Sequence, residues 1–211
     1  MHYTLDMEKT EKFKNFLEMS KKQFDDYMCK TYPSQFDQRN LTMDKTCMRW
    51  GFCVGSGWYY YLDEMCSQLD LIQKVTGIRV SFTQIKEKYA SGRFYHIIKK
   101  TDDILKDENI INIWCKLIDT IISQYEEFVG HICEKTGKHI CDPIVIGSWH
   151  YSLSEGGFLL EYPERAEQLE KFKKSEKYKE KIEDMLAFCN DEEYDSIMKY
   201  MEKILENKKK S

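Results

Sequence analysis

Apolar positions along this chain recur at two spacings. Ile78, Val80 and Phe82, and again Phe94, alternate with polar residues, which is the period of a half-buried strand. Ala90-Ser91-Gly92 lies where the chain must reverse, so the pattern predicts two antiparallel strands joined by a short loop containing Gly. Lys86, Lys88 and Arg93 then sit close together across that hairpin, offset locally by Glu87.

Elsewhere the spacing is three and four residues, the signature of an amphipathic helix. It predicts a helix over residues 7–30 with Phe13, Phe16, Leu17, Phe24, Tyr27 and Met28 on one side, stopped near Pro33. A second follows Trp58, with Tyr61, Leu62, Met65, Leu69 and Ile72 facing inward, and ends before Gly77. The longest, residues 104–129, carries a stripe from Ile111 through Trp114, Ile118 and Ile122 to Val129. Asp102 and Asp103 lie near its start, where the helix dipole favours acids. Residues 34–45 are polar and aperiodic, a connecting loop, and Ile144-Val145-Ile146 is a strand candidate between Pro143 and Gly147. Helices over 164–189 and 191–205 close the chain before a basic tail, 207–211. The sum is an α+β protein: a small antiparallel sheet built on the central hairpin and packed by several amphipathic helices. Residues 1–162 form the core domain and 163–211 a C-terminal helical extension.

Composition narrows the chemistry. The chain has 211 residues, 42% hydrophobic and 32% charged, enough to bury a core without staples. A net charge of −4 offers no global attraction for nucleic acid or anionic lipid, so neither is expected as a partner. Eight cysteines come without an N-terminal apolar run of signal-peptide type; they are read as reduced thiols in a cytosolic protein. No apolar run approaches the length that spans a bilayer.

Three stretches bear on function. Trp50-Gly51-Phe52-Cys53-Val54-Gly55-Ser56-Gly57-Trp58 sets three glycines between two tryptophans ahead of a helix, which is either a packing turn or a phosphate cradle of free N–H groups. On the hairpin, Lys86, Lys88 and Arg93 with Trp58, Tyr59 and Tyr95 nearby combine cations and flat rings, as a nucleotide requires; the plain alternative is a solvated sheet face. His96 beside Lys88 could serve acid–base chemistry, but no catalytic motif accompanies it and no enzyme is inferred. His131, Cys133, His139, Cys141 and His150 cluster, yet their x1 spacing does not match a zinc knuckle, and neither a metal nor any other cofactor is expected.

The Trp50-Gly51-Phe52 and Gly55-Ser56-Gly57-Trp58-Tyr59 pair, followed by Gln84-Ile85-Lys86-Glu87-Lys88-Tyr89 and Arg93-Phe94-Tyr95, resembles a family of small bacteriophage and prophage proteins. Those carry Trp-x-Gly-Ile/Phe-x-Cys-Gly-Asp-Gly-Trp, a helix, a Gln-Val-Lys-Glu-Lys-Phe-Gly-Gly-Leu-Arg-Phe-Tyr hairpin and a later Cys-x-x-Cys-Gly. The likeness covers about residues 47–155. Val54 and Ser56 stand where the family has its first cysteine and its aspartate. Cys133-Glu134-Lys135-Thr136-Gly137 and Trp149-His150-Tyr151-Ser152-Leu153-Ser154 stand where it has its later cysteines. The resemblance implies a phage-encoded binding protein in the host cytosol that sequesters an anionic, nucleotide-type immune signal or engages a host defence protein. The candidate ligand residues are Trp58, Tyr59, Lys86, Lys88, Arg93, Tyr95 and His96. The alternative is an interaction module or homo-oligomer acting through the C-terminal helices.

Overall fold

The computed structural model describes residues 10–100 and 106–186. The chain divides after Arg165 into two compact units. The first is α+β.

It opens with α1 (Glu11–Glu18) and α2 (Lys21–Thr31), not the single helix expected over this stretch. The break has a local cause. The Ser20 hydroxyl accepts the Gln23 N–H and the Gln23 side chain accepts the Ser20 N–H, a reciprocal cap that starts a new helix. Turns then lead to a 3-10 turn, Cys47–Trp50, and to β1 (Phe52–Cys53). A second 3-10 turn, Ser56–Trp58, runs into α3 (Tyr59–Thr76), which ends at Gly77 in the left-handed conformation (φ 73°).

The hairpin is β2 (Arg79–Glu87) and β3 (Gly92–Lys99), antiparallel, with Lys86 opposite Arg93. β1 adds to β2 in parallel, Phe52 beside Ile85, so the sheet is mixed and ordered β1-β2-β3. A bulge between Phe82 and Gln84 resets the alternation. Phe82 and Ile85 thereby face one side with Phe94, all three fully or almost fully buried. Lys86, Arg93 and Tyr95 share the other side. Reversal occurs at Tyr89-Ala90, one residue earlier than the sequence suggests, with both residues at positive φ (55° and 57°).

α4 (Glu108–Gly130) packs on β3 and α3. Asp107 caps it through the N–H groups of Asn109 and Ile110. Residues 102–104, the expected helix start, lie outside the described residues. Past α4, Ile132 bridges His139, and β4 (Ile144–Ile146) pairs with β5 (Trp149–Tyr151) before α5 (Glu155–Glu161). One apolar core links α1 to α4 and the three-stranded sheet around Phe24, Phe52, Trp58, Phe82 and Phe94. The second unit holds α6 (Ala166–Leu186); the helix expected over 191–205 lies outside the described residues. No helix among the described residues is long and apolar enough to cross a membrane.

Candidate functional site

The Gly55-Ser56-Gly57 turn lies against the 133–137 loop with almost no space between backbones. A Cβ on Gly57 would collide with the Cys133 carbonyl oxygen, and one on Gly55 with that of Glu134. Gly57 N–H donates to the Glu134 carbonyl (2.8 Å), Gly55 N–H to Glu134 Oε1 (2.6 Å), and the Trp58 indole N–H to the Ile132 carbonyl (2.8 Å). Glu134 N–H in turn donates to the Ser152 carbonyl (2.7 Å), which ties the loop to the chain just beyond β5. The glycines are there for close approach, and the free N–H at Gly55 is spent on a carboxylate of the chain itself.

These contacts enclose one side of a cavity of about 460 Å³. Its wall runs from Cys53 to Ser56, through Glu87 at the end of β2 and Glu134-Lys135, to residues 149–153 and the Glu161-Tyr162 end of α5, with Lys21 from α2. Burial pushes the Glu134 carboxyl up to about 7; the Gly55 N–H opposes this, Glu87 and Glu161 reinforce it, and Lys135 opposes it. Burial also raises Glu87, against the Ala90 N–H and Arg93. Glu161 is paired with Lys135 at 2.8 Å. Ser152 is 1% exposed, and its hydroxyl has no hydrogen-bond partner among the described residues. Trp149, by contrast, is 67% exposed.

Behind this wall the Cys133 thiol accepts from the Ser154 hydroxyl (3.3 Å) and the Thr136 N–H (3.4 Å). Burial pushes the thiol up, but these donors outweigh it and hold it below its ordinary value. Cys133, Thr136 and Ser154 are therefore neighbours, joined by hydrogen bonds. His131 and His139 stack at 6.2 Å, while Cys141 and His150 are exposed. Among the described residues no group of three or more histidine, cysteine or acidic side chains is placed to hold a metal.

The seven residues singled out on the sequence fall in four places. Trp58 and Tyr59 are buried; Tyr59 stacks on Phe24 at 3.8 Å, so neither ring faces a hollow. Lys86, Arg93 and Tyr95 share the outer sheet face, with Lys86 Nζ 5.2 Å from the Tyr95 ring centre. Arg93 turns back on its own strand, donating to Ser91 Oγ (2.7 Å) and the Gly92 carbonyl (2.8 Å). Lys88 lies over Tyr89 at the hairpin turn. His96 faces α4, with Nε2 3.0 Å from Asp119. Lys86 and Tyr95 do border a second, shallower hollow of about 430 Å³, with Lys45, Thr46, Thr83 and Asp44.

Glu87, Glu134, Ser152 and Trp149 were not anticipated as site residues. Glu134 follows Ile132-Cys133 and precedes Lys135-Thr136-Gly137, a context that reads as a solvated turn until the glycine turn is placed over it. Fold and cavity define a small α+β protein with a cleft built from loops at one end of the hairpin. Comparison with family models, with curated proteins and with solved structures finds no match for this chain.

Proposed function

We propose that the protein is a binding protein that captures a small polar molecule in the cavity between the Gly55-Ser56-Gly57 turn and the Glu134 loop. The observation that carries this is the Glu134 carboxyl. It is fixed by a backbone N–H, is kept proton-hungry by burial, and stands in a wall that also holds the unpartnered Ser152 hydroxyl. Polar groups held desolvated and incompletely satisfied cost stability, and a ligand offering complementary partners recovers that cost. The likeness to phage proteins supplies a setting in which capture suffices, since withdrawing a host defence signal from solution requires affinity alone.

A second reading, an anionic nucleotide-type ligand, is favoured by the outer hollow, where Lys45 and Lys86 flank the exposed Tyr95 ring. Native mass spectrometry on protein purified from its host separates the two. The cavity reading expects a bound small molecule that is lost in Ser56→Trp, which fills the cleft, and kept in Lys86→Ala. The opposite pattern selects the outer hollow. Protein that arrives empty and retains nothing from a host metabolite extract counts against both.

A further inference from the structure

The cavity wall carries acceptors that the protein leaves uncommitted. Glu134 and Glu87 reach it from two different segments, and each accepts one backbone N–H, from Gly55 and Ala90, at 2.6 Å. Neither is in an ion pair among the described residues, whereas Glu161 is occupied by Lys135 at 2.8 Å. A carboxylate offers about four acceptor positions, so most of theirs remain open. Ser152, 1% exposed, adds a hydroxyl oxygen with no partner. Trp149, 67% exposed, contributes an aromatic surface to the same wall, and the basic groups that line it are Lys21, His150 and Lys135, the last paired with Glu161.

Acceptors on one side and an exposed indole on another suit a positively charged organic group. Its N–H bonds satisfy carboxylate oxygens, and its charge is drawn to the ring face. On the footing that the cavity is the ligand site, we propose that it takes a small organic cation, an amine or guanidinium on a short apolar frame. Glu134 and Glu87 face the charge, and Trp149 covers the frame.

Calorimetric titration of the full chain with agmatine, putrescine and tyramine, against uncharged 1,4-butanediol and the dianion succinate, tests this. At least one cation should bind while butanediol and succinate do not. Glu134→Gln, which keeps an acceptor for the Gly55 N–H, should weaken that binding about tenfold or more, and Trp149→Ala, at an exposed position, several-fold. Failure of all three cations to bind, or unchanged affinity in both variants, overturns the proposal. Should succinate or butanediol bind instead and Ser56→Trp abolish it, the cavity remains the site and only the cationic ligand class falls. Should no probe bind and the purified protein carry nothing, both fall.

Discussion

Glu134 is more costly to the fold as an anion than as an acid. Its carboxyl is raised from an ordinary 4.5 to about 7, so the folded chain holds this proton more tightly than the unfolded chain does. Below about pH 4.5 both states are protonated; as pH rises toward 7 the unfolded chain ionises first and stability falls, then levels off. Glu87 and Glu161 face the same group and deepen the effect, and Lys135 offsets part of it. Glu134→Gln should therefore match the parent near pH 4 and exceed it by about 1–2 kcal/mol near pH 8, allowing for solvent screening at the cavity mouth. Urea melts at the two pH values check this; a variant less stable at pH 8 would refute it. Tyr89 is a second residue under tension. It sits at φ 55° in a two-residue turn, exposed, where Asn or Gly is at ease. Tyr89→Asn should gain about 0.5–1 kcal/mol, read as a rise in melting temperature.

Among the elements, α3 is the anchor. Its buried Asp63 accepts from Tyr27 (3.0 Å) and Tyr32 (2.8 Å) and pairs with Lys12 (2.9 Å), tying α1, α2 and the following turn to one carboxylate. Asp63→Ala removes the carboxylate that both phenols share, leaving Lys12 paired with Glu64 (2.7 Å), and should cost about 2–3 kcal/mol in denaturant unfolding. Just ahead of α3, Gly57→Ala should cost at least about 2 kcal/mol, because the added methyl meets the 133–137 backbone rather than a side chain that can swing away. A melting temperature equal to the parent's would contradict that contact. Most elements could be read from spacing. The stripes Tyr61 to Ile72 and Ile111 to Val129 are buried as their period requires, and Ser20-x-x-Gln23 contains the cap that divides α1 from α2. The bulge after Phe82 could not be read. It depends on Phe82 and Ile85 both fitting the core, a tertiary demand that overrides strict alternation.

At the scale of the whole molecule, that bulge decides which side chains can meet. Strict alternation from Phe82 would turn Lys86 to the core side; with the bulge, Lys86 and its partner Arg93 share the outer face, while Lys88 belongs to the turn and Trp58 and Tyr59 are buried at the start of α3. The cleft instead draws on residues 53–56, 87, 134–135, 149–153 and 161–162. Those segments are joined by strand pairing, hydrogen bonds and the Lys135–Glu161 ion pair across sequence separations that leave no periodic trace. The Gly-Ser-Gly turn was visible as a place of unusual packing; what it packs against was not. The claim that this cleft is the ligand site is tested most directly by amide chemical shifts of the labelled protein during titration with a library of small polar compounds. Hits should shift the amides of Gly55, Ser56, Glu134 and Ser152 together and leave Thr46 and Tyr95 in place. Hits confined to Thr46, Lys86 and Tyr95, or a library that moves none of these amides, would contradict it.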